Sequence, residues 1–395
     1  MATAADVVVI GGGVNGASTA FHLASMGAGK VLLLERSALG AGATGKSGAL
    51  VRMHYTNPHD AALAHASLPY FEQWDDLVGA GDPGFHPYGV VRLASPRFDD
   101  RLRANVDMLR EIGVDTAIIS VDDLKAIDPG VYVGDIDCAA WEPRSGYADP
   151  SATAFGFAEG ARHRGAEIHV GVEAIAIETD GDQITGVATN VGHIATGAVV
   201  LVAGAWSSRL LEPLGFDFGL QPNRAQIVIL RRPAGAEASH PVYIDGLNNT
   251  WLRPEGDYGV LAGIGRDQLG IDPDVFNEGV DFDYIVDVRK RLAARRPALA
   301  NAYMRGGWAG VITMSPDGHA IIDELQPYRG LFAILGDNGA NFKTAPAIGK
   351  CVAEWVTTGA PQTVDLHAFR AARFAEGDPI VGEHEYGDRP LDVFR

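Results

Sequence analysis

Residues 6–36 read DVVVIGGGVNGASTAFHLASMGAGKVLLLER. Val7, Val8, Val9 and Ile10 form a β-branched run without polar alternation, the pattern of a strand buried on both faces. Gly11, Gly13 and Gly16 follow with the spacing GxGxxG, after which Ala17, Ala20, Leu23 and Ala24 recur at helical spacing until Gly27 and Gly29. A second apolar strand, Val31 to Leu34, ends at Glu35. In such a unit Gly11 permits the tight turn, Gly13 lets the backbone approach a pyrophosphate and Gly16 lets helix and strand pack closely. The free N–H groups at the helix start favour an anion. Glu35, 19 residues beyond Gly16, stands where an acid accepts hydrogen bonds from ribose hydroxyls. The pattern predicts a dinucleotide site, for NAD or FAD.

Outward from this unit, 395 residues are more than one ordinary core holds, which predicts two domains. A formal charge of −18 repels polyanions, so nucleic acid and acidic lipid are disfavoured as partners. Cys138 and Cys351 are the only cysteines, too few for a disulfide framework or a CxxC metal site, and the 12 histidines show no metal-binding spacing. No metal is expected. The N-terminal MATAAD lacks a basic region, and the following apolar run breaks at Gly11, so neither a signal peptide nor a membrane span is expected. A reducing compartment, most simply the cytoplasm, is the expected location.

The middle of the chain repeats the α/β texture. Residues 151–165 are helix-like, short strands are expected near 167–170 and 172–179, 183–194 reads as a hairpin, and 198–207 as a buried strand. Residues 331–336 and 347–359 return to strand and helix. Residues 84–145 are rich in aromatics, Pro and charge, whereas 216–305 alternate apolar and polar residues as antiparallel strands do. The expected fold is therefore α/β, with a discontinuous Rossmann-like nucleotide domain (1–83, 146–215, 306–365) and a sheet-rich α+β substrate domain (84–145, 216–305). Residues 366–395 read as a polar tail packed late, if at all.

Four further stretches, in order, resemble the amino-acid and sarcosine oxidase family of FAD-dependent amine oxidoreductases (D-amino-acid oxidase-like superfamily), on its sarcosine oxidase beta-subunit and dimethylglycine oxidase-like branch. GAGATGKSGALVRMHY (40–55) is similar to the family's small-residue loop running into an arginine. VAGAWS (202–207) resembles a later cofactor-contacting turn, and GGWAGVITMSPDGHAIID (306–323) a Trp-Ala-Gly…Thr-Pro-Asp segment, with Ser315 in place of Thr. GDNGANFKTAPAIGK (336–350) is similar to a Gly-His-Gly-Phe-Lys-x-x-Pro motif, with Ala340 and Asn341 replacing His and Gly. Asn tolerates a left-handed backbone, so Asn341 is expected to preserve the turn.

The resemblance implies FAD rather than NAD, and hydride transfer from a C–H beside an amine to flavin N5, giving an imine that water hydrolyses. It implies that Arg52 and Lys343 hold a substrate carboxylate and act as the catalytic pair, with Tyr55, His54 and Arg253 as further substrate contacts. Cofactor contacts are implied for Gly11, Gly13, Val14, Asn15, Gly16, Glu35 and Arg36 in the first unit, and for Thr44, Lys46, Ser47 and Gly48 in the next loop. Further along they are implied for Ala174, Gly204, Trp206, Gly310, Gly336, Gly339, Asn341, Phe342 and Lys343. Backbone N–H groups of Gly339, Asn341 and Phe342 are expected at the flavin's pyrimidine edge, and Trp251 on the sheet facing the ring. Gly310 stands where some relatives carry a flavin-tethering cysteine, which implies non-covalent FAD. Leu261 aligns with an oxygen-activating lysine, so the acceptor is oxygen or another electron carrier. The expected partners are a small carboxylate-bearing amine and, in the assembly, a second copy or a partner subunit. Two other readings fit: a 2-hydroxy-acid or polyol dehydrogenase, and a non-catalytic FAD-binding subunit.

Overall fold

A computed structural model describes residues 3–234 and 239–387. Its organising layer is a six-stranded sheet. β1 (Val7–Ile10) lies between β2 (Val31–Glu35) and the strand Val199–Leu201. Glu167–Val170 extends the β2 side, and Leu331–Leu335 then antiparallel Ile321–Glu324 extend the other. Every residue of β1 is buried, as its unbroken β-branched run requires. Alternate residues feed two cores. Val7 and Val9 pack among helices, and Val8 and Ile10 pack against a three-stranded antiparallel sheet through Ile177, Ile184 and Val187.

The helical layer holds α1 (Val14–Ser25) between the helices Pro150–His163 and Ala345–Thr358. Small residues allow the close contact: a Cβ on Gly349 would stand 2.4 Å from Ser18 Oγ. Burying side chains the size of Val or Leu contributes about 1.5–3 kcal/mol each, so β1, β2 and α1 form the stable floor on which the loops rest.

The second sheet has eight strands in the order Tyr303–Met314, Gln221–Arg231, Gly259–Ile264, Thr250–Glu255, Val242–Asp245, Val90–Leu93, Cys138–Glu142, Ala117–Ser120. Only Val242–Asp245 and Val90–Leu93 run parallel. One face packs on the amphipathic helix Phe282–Arg295 through Tyr284, Val288 and Leu292. The other face looks toward the nucleotide unit. The long edge strand Tyr303–Met314 carries residues across from this sheet to the six-stranded one. The discontinuous α/β architecture with its sheet-rich companion is the one expected.

The C-terminal segment departs from expectation. Phe369 and Arg373 are fully buried, and Arg373 Nε and Nη2 donate to Asp317 at 2.8 and 2.9 Å. Arg373 also donates to the Phe369 and His319 carbonyls. A polar composition concealed a segment anchored by one buried ion pair, because composition does not reveal a charge's partner.

Candidate active site

A cavity of about 690 Å³ runs between the two sheets, within the range of small-molecule sites. One end is built by the first β-α-β unit. Gly11 has φ +118°, and a Cβ there would sit 2.3 Å from Val202 O. Gly16 is absent from the wall; its Cβ would lie 1.9 Å from Gly11 O, so it serves the turn's closure. Glu35 lines the cavity, with Oε2 accepting from Gly12 N at 2.8 Å and Oε1 from Ser37 N at 2.8 Å. Thr44 Oγ1 accepts from Val14 N at 3.0 Å, which joins the second loop to the helix start.

Val14, Asn15, Arg36, Lys46, Ser47, Gly48, Ala174, Gly204, Trp206, Gly310 and Gly336 line the same cavity, as do Gly339, Asn341, Phe342 and Lys343. Arg36 stacks on Trp206 at 4.1 Å. A Cβ on Gly310 would stand 2.5 Å from Lys46 Cβ, and one on Gly48 2.3 Å from the Trp251 ring. Trp251 lies in the wall, and Leu261, although buried, does not. Two wall residues offer buried polar atoms without a protein partner, Asn15 Oδ1 and Asn341 Nδ2. An elongated ligand with a pyrophosphate and polar ring edges fits this arrangement: glycine-lined at one end, with unpaired polar groups along its length.

The turn at 336–343 differs from expectation in two respects. Its left-handed residues are Gly336, Asn338 and Gly339, so Asn338 (φ 48°) and not Asn341 carries the strained position. The Gly339 N–H is directed to Asp337 Oδ1 at 2.9 Å and not to the cavity. Asn338 Oδ1 accepts from Ser315 N at 2.9 Å, and Thr313 N donates to Asp337 Oδ2 at 3.0 Å. These bonds tie the turn to the 306–323 segment.

The other end is cationic. Arg52 and Lys343 reach the wall, 6% and 5% exposed, from loops 291 residues apart in sequence. Both cations lie over the Tyr55 ring, Arg52 Cζ at 4.8 Å and Lys343 Nζ at 4.9 Å from its centroid. Lys343 Nζ donates to Ala340 O at 2.8 Å, and Arg52 Nη1 donates to His54 O. Burial, together with the adjacent Arg52 charge, holds the Lys343 ammonium well below the ordinary lysine range, against the pull of Asp60 and Glu142.

Of the substrate contacts expected from sequence, Arg52 and Lys343 meet, and the other three stand outside the wall. Tyr55 packs against both cations, and its buried hydroxyl has no hydrogen-bond partner. His54 is turned away toward Tyr386. Arg253 is committed elsewhere, to Gly48 O at 2.8 Å, to Glu255 at 2.6 Å and over the Tyr147 ring at 4.2 Å. It ties down the loop that precedes Arg52 and stands outside the cavity wall.

Two carboxylates here escaped sequence reading. Glu142 Oε2 accepts from Met53 N at 2.9 Å and from Ser145 Oγ at 2.6 Å, while Oε1 is buried without a partner. Burial pushes its carboxyl up, opposed by these bonds and by Arg52 and Lys343. Burial also raises Asp60, but His319 and Asn57 outweigh it and leave the carboxyl below its usual range. His319 Nδ1 lies 2.6 Å from Asp60 Oδ2. Neither acid sits in a recognisable motif; a charged residue inside an apolar segment was the sole signal. Among the described residues no helix is long and apolar enough to cross a membrane, and no cluster of three or more potential ligands is placed to hold a metal.

The family model described as DAO, FAD dependent oxidoreductase, matches residues 6–355. The beta subunit of sarcosine oxidase from an Arthrobacter species is 27% identical over 389 residues, covering 96% of this chain and 93% of its own length. The 4-methylaminobutanoate oxidase (formaldehyde-forming) of Paenarthrobacter nicotinovorans is 28% identical over 374 residues. The match covers 92% of this chain but 45% of that protein, so the chain spans less than half of it. The solved L-proline dehydrogenase of P. horikoshii superposes with a TM-score of 0.89 at 25% identity, over 96% of this chain and all of that one.

Proposed function

The chain belongs to the FAD dependent oxidoreductase family, and from that premise we propose that it oxidises the C–N bond of a small secondary, N-methylated or related amino acid. The observation that carries this reading is the meeting of two buried cations, Arg52 and Lys343, in the cavity that the glycine turn opens into. A guanidinium holds a carboxylate by two parallel bonds and an ammonium adds a point charge, each strengthened where little water competes. Sarcosine, 4-methylaminobutanoate and L-proline, in the names of the proteins above, are all carboxylate-bearing secondary amines.

FAD, when bound, supplies the acceptor for the hydride and its two electrons. The glycine turn, Glu35 and Thr44 would hold its nucleotide portion, and Lys46, Ser47, Gly48, Asn341 and the 336–343 turn its ring. Gly310 lies too close to Lys46 for a tethering side chain, which supports non-covalent binding. Arg52 and Lys343 orient the substrate so that a C–H beside its amine faces the ring, and the apolar Trp251 and Ile244 of the sheet wall exclude water from that side. This reading treats the six-stranded part as the cofactor domain and the eight-stranded part as the substrate domain.

Anaerobic addition of sarcosine, dimethylglycine or proline to the FAD-loaded protein is expected to bleach the flavin absorbance. Bleaching by 2-hydroxy acids and by no amine would overturn the choice of substrate. Loss of bleaching unless a partner protein is added would instead favour a subunit role. Admitting oxygen afterwards separates oxidase from dehydrogenase by the rate of reoxidation. Acid precipitation is expected to leave FAD in the supernatant.

A further inference from the structure

We propose that Tyr386, in the C-terminal segment, is a positioning residue for the Arg52 guanidinium and acts through His54. The inference rests on the carboxylate-clamp reading above. The strand Leu50–Val51 ends one residue before Arg52, so residues 52–57 receive little support from a sheet ladder. Arg52 donates to the His54 carbonyl, which ties its guanidinium to this loop. The place of that carbonyl follows the place of His54.

His54 is held from behind. Its Nε2 and the Tyr386 hydroxyl share a 2.7 Å hydrogen bond, and the rings stack at 5.9 Å and 25°. The Arg92 guanidinium covers the Tyr386 ring at 4.7 Å. Two residues along the loop, Thr56 Oγ1 donates to Glu385 Oε1 at 2.9 Å, and the same oxygen accepts from Gly382 N at 3.1 Å. A Cβ on Gly382 would lie 2.4 Å from Thr56 Oγ1, so the segment approaches closely only because that residue is glycine. Asn105 Nδ2 donates to His384 O at 2.9 Å and anchors the segment to the helix Asp99–Ile112.

Neither His54 nor Tyr386 lines the cavity. The contact therefore cannot act on a ligand directly, and its effect must pass through Arg52. A loop held at 54 and at 56 presents the guanidinium in one orientation. Released, the same loop would leave Arg52 charged and close but variably aimed, and a paired carboxylate contact would be weakened without being lost.

The test uses the FAD-loaded full chain and sodium acetate, a carboxylate that cannot be oxidised, titrated while flavin absorbance is followed. Tyr386→Phe keeps the ring and removes the hydroxyl; acetate Kd is expected to rise about fivefold, as loss of one hydrogen bond implies. With an oxidisable amine, KM should rise by a similar factor while kcat and FAD content stay near the parent values. Thr56→Val releases the second attachment and should move acetate Kd in the same direction; it decides the matter where Tyr386→Phe does not fold. Parent-like acetate Kd in the folded variants, even with a lowered melting temperature, would overturn the inference and leave Tyr386 a packing residue. A parent protein that holds FAD but binds no acetate would overturn the clamp reading itself, and this inference with it.

Discussion

The two ends of the cavity are built in opposite ways. At the nucleotide end, β1, its turn, α1 and β2 come from one run of sequence, and what matters is where the backbone can go. At the cationic end, Arg52, Tyr55 and Asp60, Glu142, and Lys343 come from distant segments, with Tyr386 behind them in the C-terminal one. There the side chains matter, with charges balanced inside a site that has lost most of its water. A backbone-built end tolerates varied side chains but no extra Cβ at its closest approaches. A side-chain-built end tolerates loop changes but depends on every charge having a counterpart.

The contrast is broken most sharply at Gly16. Its Cβ would lie 1.9 Å from Gly11 O, a backbone atom that cannot move without opening the turn. Gly16→Val is expected to abolish FAD retention altogether, read as loss of the flavin spectrum after gel filtration. A yellow variant with parent-like FAD content would show that the end is not backbone-built.

This difference also explains what sequence could reveal. The run from Val7 to Glu35 announces its strand, turn, helix and strand, because adjacent residues determine all of them. Arg52 and Lys343 were legible through the motifs around them. Asp60, Glu142 and Tyr386 were not, since their meaning lies in partners 89 to 332 residues away, such as Glu142 with Met53 and Tyr386 with His54. Asn341 was misjudged for a related reason. The residue type tolerating a left-handed backbone occurs twice in the turn, and Asn338 takes that conformation because its side chain bonds Ser315 N and Gly336 O. The C-terminal segment was misread because a buried arginine looks like any other until Asp317 is found beside it.

The next largest effect is expected at that pair. Arg373→Met removes the guanidinium from the buried Asp317, leaving the backbone donors of His319 and Ile380, the Ser315 hydroxyl and neighbouring charges around it. Stability should fall by about 3 kcal/mol, the scale for breaking a buried ion pair, measured as a shifted urea midpoint. An unchanged midpoint would place the segment among the loosely attached parts after all.

Arg52→Met and Lys343→Met probe the side-chain end directly. Each should weaken acetate binding and raise KM for an amino-acid substrate roughly hundredfold, equivalent to about 2.8 kcal/mol. FAD content should stay near the parent value in Arg52→Met, because the glycine turn that would hold the nucleotide portion is built by the first β-α-β unit. Parent-like kinetics in both variants would remove the clamp, and joint loss of FAD would show that the two ends are not separable.

The smallest effect is also the most particular to a desolvated cluster. Burial and Arg52 depress the Lys343 pKa, so below the ordinary lysine range the ligand-free lysine gives up protons that an ordinary lysine keeps. A bound carboxylate supplies the missing negative charge and restores the ammonium. Acetate binding should therefore take up a proton, approaching about one per site between the two pKa values of Lys343. Apparent affinity should fall as pH rises through that window, since the proton must then be drawn from solution. Titration calorimetry in buffers of different ionisation enthalpy measures the uptake. Glu142 is the competing source, because its carboxyl is already pushed up and an added anion would push it further. Lys343→Met should remove uptake on the alkaline side, and Glu142→Gln should leave it in place. The opposite assignment would move the titrating group from the cavity wall to the acid behind Met53.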